Sequence, residues 1–134
     1  MSFCTVINCM DGRVQLPVIT YLQENLGVKY VDSVTEPGPV GILAERTDAP
    51  AVDSILRRVA ISTGAHNSSA VAVVVVAHHD CGGNPADEAT QRVQLTKALD
   101  FVSQNVPGVL VLGLWVDGNW SVSEAERREP SAAA

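Results

Sequence analysis

The sequence predicts an α/β domain built on a mainly parallel sheet. It calls for about four strands in the order 2-1-3-4, a short edge strand, and helices on both faces. Three observations predict this. Short apolar runs of β-formers alternate with segments whose apolar residues recur at helical spacing. The valine-dominated run at residues 70–77 has no polar alternation, the mark of a strand buried on both faces in the middle of a parallel sheet. Glycine and proline punctuate the chain between these segments.

Taken in order, residues 3–8 (Phe-Cys-Thr-Val-Ile-Asn) form the first strand. Pro17 suits the first turn of a helix, Val18, Tyr21, Leu22 and Leu26 follow at helical spacing, and Gly27 ends it. Residues 28–34 form the second strand, after which Pro37, Gly38, Pro39 and Gly41 open a long loop that continues to the neighbourhood of Pro50. A second helix over 51–66 carries Val52, Ile55, Leu56, Val59 and Ala60 on one face. The third strand is 70–77, and a third helix over 86–105 carries Val93, Leu95, Leu99 and Val102. Pro107 and Gly108 lead into the fourth strand at 109–116, and Asp117-Gly118-Asn119 turns into a short antiparallel edge at 120–122. Residues 1–126 are expected to form one domain and 127–134 a flexible tail. In such a sheet the ligand lies beyond the carboxyl ends of the strands where their order reverses, here between strands one and three.

Bulk properties bound the function. A chain of 134 residues suffices for one domain with one substantial core, and 46% hydrophobic with 18% charged residues excludes a disordered coil. The run at 70–77 falls far short of the roughly 20 apolar residues needed to span a bilayer. A formal charge of −6 argues against nucleic acid and anionic membranes as partners. Residues 1–9 lack the basic start and small-residue cleavage site of a secretory signal, and the three cysteines are an odd number. The expectation is a cytoplasmic protein with reduced thiols.

The first strand ends in Cys9-Met10-Asp11-Gly12-Arg13 and the third in His78-His79-Asp80-Cys81-Gly82. Both clusters leave the strands that flank the switch point, so two sulfurs and one imidazole can converge. A Cys₂His set is one of those known for catalytic zinc, which keeps a fourth position for water, and thiolates with imidazole favour zinc over magnesium or calcium. His79 competes with His78 for the ligand role, and the His-x-x-Cys spacing favours His78. Other readings stand beside this one. Asp11 and Arg13 also fit a plain surface ion pair, Gly82 and Gly83 plain turn glycines, and Cys4, mid-strand, a core residue. A metal-free Cys–His nucleophile is a further reading, but Cys9-x₃-Arg13 does not supply the Cys-x₅-Arg loop of thiol phosphatases.

Cys-x-Asp-x-Arg followed by His-x-x-Cys-Gly resembles the signature pair of the β-class carbonic anhydrases, matched here by Cys9, Asp11, Arg13, His78, Cys81 and Gly82. The resemblance spans residues 3–116, to a small, divergent member without the family's N-terminal helical extension. It implies Zn²⁺ held by Cys9, His78 and Cys81, and a catalytic pair of Asp11 and Arg13. Asp11 would accept a hydrogen bond from the nucleophile and Arg13 would keep it ionised. It further implies hydration of carbon dioxide to bicarbonate and a homodimer or higher homo-oligomer. In some members the aspartate swings onto the metal. Relatives that act on carbonyl sulfide or carbon disulfide give an alternative, and a non-catalytic zinc protein with Asp11 as fourth ligand gives another. Thr35-Glu36-Pro37-Gly38 stands where the family has Arg-Asn-Ala-Gly, and His79-Asp80 replaces a smaller pair. Gln15 or Asn8 is left to supply the amide that hydrogen-bonds substrate.

Overall fold

The computed structural model describes residues 2–66 and 70–131. The valine-rich run becomes β3 (Ala70–His78), the central strand. The other strands are β1 (Phe3–Cys9), β2 (Tyr30–Glu36), β4 (Leu110–Val116) and β5 (Val122–Arg128), arranged in the order β2-β1-β3-β4-β5. β2, β1, β3 and β4 pair in parallel, and β5 pairs antiparallel to β4. The parallel order 2-1-3-4 is the one that the sequence predicts.

Among the described residues four α-helices connect the strands: α1 (Gln15–Leu26), α2 (Pro39–Glu45), α3 (Ala49–His66) and α4 (Glu88–Asn105). Side chains of β3 alternate between two core layers. Val73, Val75 and Ala77 pack with Val40 and Leu43 of α2, Ile55 and Val59 of α3, and Leu95 and Leu99 of α4. Val74 and Val76 pack on the opposite side with Val18 and Leu22 of α1. With both faces covered, an alternating polar residue would be buried without a partner, which is why the sequence has none there. Gly27 ends α1 at φ 66°, in the left-handed cap that the sequence predicts.

Three elements differ from the sequence reading. The loop expected between the second strand and Pro50 contains α2. Pro39 starts it, because a fixed φ and a missing N–H cost nothing in a first turn, and Val40, Leu43 and Ala44 form its buried side. The proline–glycine spacing that reads as a break is here a helix start. The antiparallel edge is β5 at Val122–Arg128 rather than residues 120–122, with Arg127 opposite Leu112 and Arg128 opposite Val111. Its charges are those of an edge strand: Arg127 pairs with Glu124 at 2.7 Å and Arg128 with Asp100 at 2.8 Å. Of the rest of the expected tail, residues 129–131 carry no regular element and residues 132–134 lie outside the described residues. Val93 is exposed, because the buried stripe of α4 runs through Gln91, Leu95, Ala98, Leu99 and Val102.

α4 lies directly on the sheet at Gly113 of β4, where a Cβ would come within 2.9 Å of Leu99 Cδ1. This contact sets the height of the helix that braces the end of β3. No helix among the described residues is long and apolar enough to cross a membrane. Leu99 is fully buried, so Leu99→Ala is expected to cost about 2–5 kcal/mol. Urea unfolding checks this; a cost under about 1 kcal/mol would show that α4 is not seated on the sheet as described.

Candidate metal centre

The site is assembled at the carboxyl ends of β1 and β3. At the end of β1, Asn8 shapes the turn: its Oδ1 accepts from Cys9 N at 2.9 Å and its Nδ2 donates to Val14 O at 3.1 Å. Gln15 Nε2 donates to Cys9 O at 2.7 Å and Asp11 O at 2.9 Å. Both amide groups that the sequence offered for substrate are therefore engaged with the main chain, and they hold Cys9 and Asp11 in place.

At the end of β3, the buried amide of Gln91 pins His78. Gln91 Nε2 donates to His78 O at 2.9 Å and to Ala86 O at 3.1 Å, and its Oε1 accepts from His78 N at 3.3 Å. His79 N continues the pairing to Val116 O at 2.9 Å. Asp80 then takes the left-handed conformation, φ 57°, which aspartate tolerates, before Cys81 returns to the interior. The loop after Cys81 lies backbone against backbone on the segment that starts α2. A Cβ on Gly83 would sit 2.6 Å from the Pro37 carbonyl carbon and 2.9 Å from Gly38 N, so only glycine fits.

Cys9, His78 and Cys81 are all buried, and their candidate ligand atoms lie within 4.8 Å of one another, with the two sulfurs 3.9 Å apart. His78 Nδ1 is 2.8 Å from the His79 carbonyl oxygen. A carbonyl only accepts, so Nδ1 carries the hydrogen and the lone pair of the neutral ring sits on Nε2. That Nε2 is buried and has no hydrogen-bond partner among the described residues. An orphaned buried nitrogen costs about 1–3 kcal/mol, a cost that a bound cation removes.

The sulfurs carry the same message. Gly38 N approaches Cys9 Sγ at 3.5 Å. Burial pushes the Cys81 thiol above its ordinary pKa and the neighbouring Cys9 adds to the shift, while hydrogen bonds from the main chain at Asn84 and Gly83 oppose it. Two adjacent buried thiols resist ionising together unless a cation lies between them. The donor set and its orphaned nitrogen thus fit a soft divalent metal of the zinc type. Cys4 is not part of the cluster: it is fully buried in the core, and burial raises its pKa to about 12.

Asp11 is turned to Arg13 instead of joining the cluster. Its Oδ1 accepts from Arg13 N at 2.9 Å and Nε at 3.1 Å, and its Oδ2 from Nη2 at 2.7 Å. These bonds hold the Asp11 carboxyl down to about 2, so it is ionised throughout the neutral range. A cleft of about 230 Å³ opens between the cluster and solvent, lined by Cys9, Met10, Asp11, Pro37, Gly82 and Gly83. His79 is exposed, and its main chain is what serves the site; its ring faces Gly118.

Sequence reasoning missed Gln91, although a glutamine within the apolar stripe of α4 was a readable signal. It also missed Trp120, whose ring lies 4.4 Å from the Arg13 guanidinium carbon. Nothing in the local pattern links those two residues.

Comparison with known proteins gives one family whose model matches, described as "Putative carbonic anhydrase", over residues 1–126. No curated protein matches the chain. The match covers nearly the whole sequence, and the protein belongs to that carbonic anhydrase family.

Because burial keeps the Cys81 thiol protonated, metal uptake must displace its proton, and affinity is expected to rise with pH across the neutral and mildly alkaline range. Competition with a chromophoric zinc chelator at several pH values checks this. His78→Ala is expected to weaken binding at every pH. A pH-independent affinity, or unchanged affinity in His78→Ala, would contradict the assigned cluster.

Proposed function

We propose that this protein is a zinc-dependent carbonic anhydrase of the β type that hydrates carbon dioxide to bicarbonate, with Cys9, His78 and Cys81 holding the zinc and Asp11 and Arg13 as its catalytic pair. The observation that carries the reading is the orphaned His78 Nε2 beside two buried sulfurs, next to a carboxylate that stays outside the cluster. A zinc ion in a Cys₂His set supplies Lewis acidity, which brings a water's pKa to about 7 and provides a nucleophile at neutral pH.

The remaining work falls to the chain. Gln91 and the His79 carbonyl fix the His78 ring and its tautomer. Arg13 N, Nε and Nη2 hold both carboxylate oxygens of Asp11, with Nε shared between them. The carboxylate stays partly exposed, so it would accept a further hydrogen bond from the attacking water. Because Asp11 is an anion at all working pH values, it holds this proton and orients the oxygen lone pair towards the cleft, without itself taking the proton. The cleft walls at Met10, Pro37, Gly82 and Gly83 offer apolar surface and little hydrogen bonding, as suits a small linear electrophile without charge.

The same lining suits carbonyl sulfide and carbon disulfide, which keeps those substrates as the second reading. A purely structural zinc role is less well supported, because the position that a fourth protein ligand would fill is not taken by Asp11. We place the protein in the cytoplasm as a homo-oligomer, on the grounds given by its thiols and by the family resemblance.

Stopped-flow hydration of carbon dioxide by zinc-loaded protein tests the reading. Turnover above buffer is expected, with its loss in Cys81→Ser and a fall of about 10- to 100-fold in Asp11→Asn. Turnover of carbonyl sulfide but not carbon dioxide would select the second reading. Full activity in Asp11→Asn would remove the pair from the mechanism.

A further inference from the structure

The turn between β4 and β5 reaches over to the metal centre and grips Arg13. Trp120, at the end of that turn, has φ 62°, a left-handed conformation that a bulky side chain rarely adopts. Its surroundings impose it. Trp120 N donates to Asp117 O at 2.9 Å, and Asp117 Oδ1 accepts from Asn119 N at 2.9 Å and Ser121 N at 3.0 Å. Strain held in this way accumulates where a side chain must be aimed. Here it aims the indole at Arg13, in cation–π contact.

Asp80, the other left-handed residue at the site, meets Arg13 from a second side. Its carbonyl accepts from Nη2 at 3.1 Å and its carboxylate from Nη1 at 3.3 Å. Together with the bonds to Asp11, these engage four of the five guanidinium N–H groups. Yet the Arg13 side chain is 46% exposed and that of Asp80 is 71% exposed. An ion pair so open to water holds little by itself, so the ring and the carbonyl are needed to fix the guanidinium. Without that grip the guanidinium is free to leave Asp11, whose carboxylate then keeps only the bond from the Arg13 main-chain N–H, and a carboxylate beside a zinc-type ion is a competent ligand for it.

Building on the zinc reading above, we propose that Trp120 and Asp80 are positioning residues: they anchor Arg13 from outside, and so keep the Asp11 carboxylate off the metal and leave a coordination position open to exchangeable ligands. The β4–β5 turn thereby decides whether the centre is open or closed.

Cobalt-loaded protein tests this without an activity assay. The thiolate-to-cobalt charge-transfer band reports metal on Cys9 and Cys81, and azide titration of the visible spectrum reports an exchangeable position. Wild type and Trp120→Phe are expected to bind azide alike. Trp120→Leu, and separately Asp80→Gly, are expected to bind it about tenfold more weakly. Adding Asp11→Asn to either variant is expected to restore the affinity, which a general loosening of the fold would not do. Asp80→Gly suits the left-handed backbone there and decides the matter if Trp120→Leu fails to fold. Equal azide affinity in wild type and both variants, or a weakening that Asp11→Asn does not reverse, overturns this proposal alone. Absence of the charge-transfer band in wild type overturns it together with the zinc reading.

Discussion

The parallel pairing of β1 with β3 is the constraint on which the site depends. Thr5, Val6 and Ile7 stand opposite Val73, Val74 and Val75, so the two strands finish side by side with Cys9 at one end and His78 at the other. This register is held by apolar packing on both faces of the sheet, where a slip of one residue would exchange the two core layers. The chemistry at the strand ends therefore draws its precision from a core that takes no part in it. The strand order reverses at this same place, which puts the centre where an α/β sheet ordinarily receives its ligand.

Around that anchor, every buried side-chain nitrogen and oxygen among the described residues has a hydrogen-bond partner except His78 Nε2. Asn8, Gln15 and Gln91 spend their amides on main-chain groups next to Cys9, Asp11 and His78. Buried amides that are fully paired stiffen a core, whereas one left unpaired would destabilise it. Against this background the free Nε2 of His78 stands out as an atom that awaits a partner. The electrostatics divide the site in two. A compact thiol–imidazole cluster favours a cation, and an adjacent carboxylate already neutralised by Arg13 has no need of one.

Much of this was legible in the sequence, and for a physical reason. Burial on both faces forces an unbroken valine run, helical spacing marks the buried stripes of α1 and α3, and a metal cluster needs particular residue types at strand ends. Each of these leaves a local signature, so the buried parallel strands and the Cys9–His78–Cys81 grouping could be read in advance. What escaped was set by long-range contact. α2 hides behind Pro39 and Gly41, which signal a break until one knows that the core lies beneath Val40 and Leu43. β5 is a strand because β4 offers it an edge, although its own sequence, Val-Ser-Glu-Ala-Glu-Arg-Arg, reads as a solvated segment. Trp120 meets Arg13 across the fold with no shared motif to announce it.

The zinc reading requires two thiolates and one imidazole to hold a single ion with room left for chemistry. X-ray absorption at the zinc edge of the stoichiometrically loaded protein tests it most directly. Two sulfur ligands at about 2.3 Å and two lighter ligands at about 2.0–2.1 Å, one of them the His78 imidazole, are expected. A shell with one sulfur or none, or with three or four, would contradict it.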